Sequence, residues 1–150
     1  MSNVTADGIL SEEWEIVASI SASIANNVVG SNNEKIGDAL VKTLFCYLDF
    51  LELKYGKIAS LLATRADYVD DVLKKESLLC RAYIDAEDKN DFRNKTFISS
   101  SLSELYVDEI ADFNSGKRWL QIFEENLNSY YDEDEESLLC ELKERFNQKG

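Results

Sequence analysis

The most apolar stretch of the chain runs from Asp38 to Leu53. Wound at about 100° per residue, Ile36, Leu40, Leu44, Tyr47, Leu48, Phe50 and Leu51 join Ala39, Val41 and Thr43 to cover more than half of a helix's circumference. Lys35, Asp38, Lys42 and Asp49 fill much of the remaining strip. A helix with so little polar surface belongs inside a bundle, so residues 33–55 are expected to form a buried central helix with the others around it. Ser31 followed by Glu34 has the spacing of a capping box, and Gly56 suits the residue just past a helix end.

The other helices are read outward from that post. Ser11 is a good N-cap, and Glu12, Glu13 and Glu15 suit the positive end of a first helix carried by Trp14, Val17, Ile20, Ile24 and Val28. After Glu15 this helix has no charge, which suggests cover by another helix or by a second subunit. Residues 58–73 have the apolar spacing of a helix-turn-helix, an αα-hairpin or one bent helix, with Thr64 or Asp67 available to cap the second half. From Asp67 a long helix is expected to reach Glu87, followed by a polar break at 88–91 and an irregular or short helical stretch around Phe92, Phe97 and Ile98.

Ser101 with Glu104 is a second capping-box pair, opening a helix through Leu105, Tyr106 and Ile110. On that helix Glu104, Asp108 and Asp112 form one acidic line, and Glu109 falls among apolar residues, where it would need a cation such as Arg81 unless the rotation differs. Asn114-Ser115-Gly116 reads as a turn, Trp119 to Tyr131 as the next helix, and the acids 132–136 as the opening of the last. The expectation is an all-α, single-domain bundle of about six helices over residues 1–150, with a loose lead-in at 1–10 and a frayed tail at 147–150.

Composition narrows the picture. The chain has 150 residues, no proline and six glycines, which fits long helices joined by short polar loops. Its formal charge is −13. Such a surface repels phosphate backbones and anionic membranes, so neither nucleic acid nor membrane is an expected partner. It attracts cationic surfaces, so a basic protein partner is expected. Three scattered cysteines, Cys46, Cys80 and Cys140, read as reduced thiols in small core positions, and the N-terminus shows no basic run followed by an apolar stretch. These features point to the cytoplasm.

The absence of histidine removes Ser-His-Asp and Cys-His arrangements, two-histidine zinc motifs and the commonest general acid/base. No phosphate-binding glycine loop is present, and neither 85–96 nor 132–136 has the ligand pattern and glycine of a calcium loop. No enzyme, cofactor or metal is expected. The acids and aromatics crowd the C-terminal third, so Glu104, Tyr106, Asp108, Asp112, Glu124, Tyr130, Tyr131, Asp132 and Asp134 are the candidate partner-binding residues, the acids steering and the tyrosines anchoring.

In general character the chain is similar to small acidic helical inhibitors such as toxin-neutralising immunity proteins, a similarity of class and not of motif. The expected function is therefore an inhibitor or immunity protein that covers a basic toxin or enzyme. The alternative is a helical adaptor, a chaperone-like protein or a self-associating scaffold, including a homodimer. A helix-turn-helix regulator is disfavoured because Asp67, Asp70 and Asp71 would face the phosphates.

Overall fold

A computed structural model describes residues 3–149. The fold is all-α. Among the described residues seven α-helices follow in order: α1 (Ser11–Val29), α2 (Glu34–Tyr55), α3 (Ala59–Asp67), α4 (Val72–Asp88), α5 (Phe92–Glu104), α6 (Phe113–Ser129) and α7 (Glu133–Lys149). A π-helical segment, Leu105–Ile110, continues α5. It ends at Ala111, which takes the left-handed conformation with φ 56°. No strand occurs among the described residues, only an isolated bridge between Val4 and Leu10.

The central helix is α5, not α2. Among the helices, α2 packs only against α1 and α3, while α5 meets α3, α4, α6 and α7. Only Leu44, Leu48 and Leu51 of α2 are fully enclosed. The physical reason lies in the α5 face turned inward, which is Thr96, Ser99, Ser100 and Ser103 beside Ile98 and Leu102. Its hydroxyls donate back along the helix, Thr96 to the Phe92 carbonyl (2.9 Å), Ser99 to Lys95 (2.6 Å) and Ser103 to Ser99 (2.8 Å). Small side chains with satisfied hydroxyls let α6 approach closely. Asn126 of α6 reaches into that face, donating to Ser99 Oγ and the Tyr83 hydroxyl at 3.2 Å each.

Three apolar cores lie along the fold. Ile9, Val17, Ile24 and the α2 leucines form one with Ile58 and Leu61. Leu62, Leu79, Tyr83, Ile98, Leu102, Leu105 and Trp119 build the second. The third joins Val107 to Leu120, Phe123, Leu127, Leu139 and Leu142.

Several boundaries differ from the expectation. Asn33, not Ser31, caps α2, its side chain accepting from the Ile36 N–H at 3.1 Å. Gly56 does end α2, with φ 86° and its N–H on the Glu52 carbonyl. The expected 67–87 helix breaks at 68–71, and Asp71 caps α4 through the N–H groups of Leu73 and Lys74. Ser101 lies inside α5, donating to the Phe97 carbonyl, so no helix starts there. The Asn114-Ser115-Gly116 segment is the first turn of α6, capped by Asp112.

Residues 3–10 are not loose, for Ile9 is fully buried and Ser11 N–H bonds the Asn3 carbonyl. Residues 147–149 continue α7, with Lys149 Nζ on the Val107 carbonyl at 2.8 Å. Met1, Ser2 and Gly150 lie outside the described residues. Cys46 and Cys140 are exposed rather than in a core. No helix among the described residues is long and apolar enough to cross a membrane.

Candidate functional site

The site begins with a helix that lacks its own cap. Ile58 precedes α3 and has no side chain to accept from the first N–H groups. Two distant carboxylates do so instead. Asp7 accepts from Ser60 N–H and Ser60 Oγ, both at 2.7 Å, and Asp85 accepts from Ala59 N–H at 2.8 Å. Negative charge at this end also suits the helix dipole. Asp7 thereby pins the N-terminal segment over α3, and the Asn94 amide on α5 reaches Ser60 Oγ at 3.4 Å.

This junction leaves a cleft of about 290 Å³, near the ~300 Å³ low end of ligand sites. Thr5, Ala6 and Trp14 form one wall, Ala63, Thr64 and Asp67 of α3 another. Arg93, Asn94, Phe97 and Ser101 come from α5, and Glu135 from α7. Asp67 and Ser101 also line a neighbouring hollow of about 140 Å³, together with Lys75, Glu104, Leu105 and Glu109.

The electrostatics are unusual for carboxylates. Glu135 Oε2 is sealed from water and has no hydrogen-bond partner. Burial pushes the Glu135 pKa up, Ser100 opposes this by hydrogen bonding, and Asp132, Glu104 and Asp134 add repulsion. Asp67 is solvent-exposed as a whole residue, yet the protein around its carboxyl raises its pKa too, with Lys75 as a partial counterweight. The cations at the cleft do not neutralise Glu135: among the described residues it has no ion pair, and the Arg93 guanidinium lies over the Phe97 ring at 5.7 Å. Glu135 and Asp67 line the same cleft as the rings of Trp14 and Phe97. No cluster of three or more cysteine, aspartate or glutamate residues suited to a metal ion occurs among the described residues.

Of the sequence candidates, the structure brings Glu104 to the hollow and leaves it exposed. Tyr106 is enclosed in the second core, and burial, followed by the Glu76 carboxylate beside it, holds its hydroxyl well above the usual range. Asp108 is clamped by Arg145 at 3.0 Å and by Lys149 at 3.6 Å. Asp112 caps α6, and the Ser115 N–H and hydroxyl hold its carboxyl below the usual range. Glu124 pairs with Lys143 at 2.9 Å. Tyr130 packs edge-on against Phe97. Tyr131 is exposed and donates to Glu136 at 2.6 Å. Asp132 accepts from the Glu135 N–H at 3.1 Å, and Asp134 is exposed.

Glu104, Asp108 and Asp112 do not form a line on one helix. Glu104 ends α5, Asp108 lies within the π segment, and Asp112 caps α6. The same widening turns Glu109 outward to the hollow, so it needs no buried cation. Sequence reasoning missed Trp14, Asp67, Arg93 and Glu135 as one site. A signal existed for Glu135, which keeps helical spacing with Leu138, Leu139 and Leu142 and so faces inward. No family model matches the chain, and no curated protein or solved structure matches it either.

Glu135→Gln tests the strain. A raised pKa means that the folded state holds the proton more tightly than the unfolded chain. The charge therefore opposes folding at pH 7, and the opposition fades as pH falls through the raised value towards the ordinary 4.5. Glu135→Gln is expected to be more stable than wild type at pH 7, the gain shrinking on acidification. Urea unfolding at several pH values measures this, and a variant less stable than wild type at pH 7 contradicts it.

Proposed function

We propose that this is an acidic protein-binding module of the inhibitor or immunity type, which neutralises a basic toxin or enzyme by covering its surface. The observation that carries the reading is the cleft of α3, α5 and α7, where the Glu135 carboxyl has no cation of its own. A lysine or arginine from a basic partner fits that chemistry, its stem against Trp14 or Phe97 and its head at Glu135 or Asp67. Exposed Glu104 and Glu109 line the neighbouring hollow, exposed Glu133, Asp134 and Glu136 flank Glu135 in sequence, and these acids would speed the encounter. The second reading, a self-associating or adaptor protein, is favoured by a different observation, the outward face of α2.

The test is affinity capture from the host's lysate, identification of the bound protein, and its titration at rising ionic strength. A basic protein is expected, with an association rate that falls steeply with salt. Glu135→Gln combined with Asp67→Asn should weaken it by roughly tenfold or more, whereas Glu34→Gln with Asp38→Asn should not. Capture of self-copies alone, or binding indifferent to salt, refutes the reading.

A further inference from the structure

The outward face of α2 is apolar and uncovered. Ile36, Ala39, Thr43, Cys46, Phe50 and Leu53 are all exposed, and they recur at alternating steps of three and four. Ile36 is 50% exposed, Phe50 52% and Leu53 90%. That spacing is the seam of a two-helix coiled coil, about 26 Å long at 1.5 Å per residue. It lies apart from the face that holds Leu44, Leu48 and Leu51 in the first core. Its one hydroxyl is prepared for burial, since Thr43 Oγ1 already donates to the Ala39 carbonyl at 2.9 Å.

The seam is complementary to itself. Laid antiparallel about a two-fold axis between Thr43 and Cys46, Ile36 of one copy meets Leu53 of the other, Ala39 meets Phe50, and Thr43 meets Cys46. The largest side chain, Phe50, faces the smallest, Ala39. A parallel pairing would set Phe50 on Phe50 and leave Ala39 facing Ala39. The flanking charges agree with the antiparallel register. Lys42 has no ion-pair partner among the described residues, and Asp49 uses one oxygen for Arg65 while its side chain stays largely open. Antiparallel pairing brings each Lys42 beside the other copy's Asp49, giving two opposite-charge contacts by symmetry. On α1, the other helix of this hairpin, Ala18, Ala22, Ala25 and Val29 are exposed and uncharged.

We propose that the protein is a two-fold symmetric homodimer whose α2 helices pair antiparallel through Ile36, Ala39, Thr43, Cys46, Phe50 and Leu53. This goes beyond the basic-partner reading and stands without it, since it uses the opposite part of the chain.

Sedimentation and light scattering of the full chain test it. The expected mass is twice the 17.1 kDa of one chain. Leu53→Glu and Phe50→Glu should each weaken association by roughly 100-fold or more, because two side chains leave the seam in every dimer. Both residues are exposed in the single chain, so circular dichroism should stay unchanged. For the register, chains carrying Ile36→Cys and Leu53→Cys are mixed after Cys46, Cys80 and Cys140 are replaced by alanine. A short cross-linker should join Cys-substituted 36 to 53 between chains, and not 36 to 36. A chain that stays monomeric at high concentration overturns the proposal and leaves the face to another protein. So does a dimer indifferent to both glutamate substitutions, and a 36-to-36 link overturns the antiparallel register.

Discussion

Ser99→Leu is expected to destabilise the fold by about 3 kcal/mol or more. Ser99 is fully buried on the α5 face that meets α6. Its hydroxyl donates to the Lys95 carbonyl at 2.6 Å and accepts from the Asn126 amide at 3.2 Å. Leucine would force the two helices apart and also strip Asn126 of an acceptor, so overpacking and a stranded polar group act together. Ser99→Ala removes only the hydroxyl and should cost about 1 kcal/mol. Equilibrium urea unfolding distinguishes them. Equal losses for the two variants would show that the α5–α6 contact has room to spare, and the account of α5 as the tightly packed centre would fail.

Arg65→Ala should cost about 2 kcal/mol, between the small value of an exposed ion pair and the several kcal/mol of a buried one. Arg65 sits on α3 and holds α2 from three directions: Nη2 to Asp49 at 2.6 Å, Nε to Glu52 at 3.1 Å, and the guanidinium over the Phe45 ring at 5.3 Å. Glu52 is largely shielded, so it would be left with an uncompensated charge. The hairpin of α1 and α2 should then loosen first, seen as faster proteolysis between Val29 and Glu34. Lys143→Ala is the control, since its pair with Glu124 is exposed on both sides and its loss should stay near 0.5 kcal/mol. If thermal melts place the two variants together, Arg65 is an ordinary surface charge.

Helix existence was legible where apolar residues keep helical spacing, as in α1, α2, α4, α6 and α7. The centre of the bundle was not, because hydrophobicity misleads in both directions here. α2 holds the most apolar run read from the sequence yet lies at the edge, its surplus greasy face turned outward. α5 is the true centre yet reads as Ser, Thr and Asn, since its buried hydroxyls are satisfied within the helix and leave no mark on a hydropathy pattern. The acidic line on 104–112 failed for a different reason. A π turn adds a residue without changing composition, and every face inferred beyond it is rotated. Of the cleft, the acidic character of 132–136 was readable. The meeting of Trp14, Asp67, Arg93 and Glu135 was not, because it depends on Asp7 capping a helix more than fifty residues away.

The three apolar cores stand in series, with two joints between them. At the first, α3 gives Leu61 to one core and Leu62 to the next. At the second, the π turn sends Leu105 and Tyr106 one way and Val107 the other. The cleft lies at the first joint, and its walls come from α1, α3, α5 and α7. An occupant there would act as a strut, tying the fold into one cooperative unit, and its arrival would register in regions it never touches.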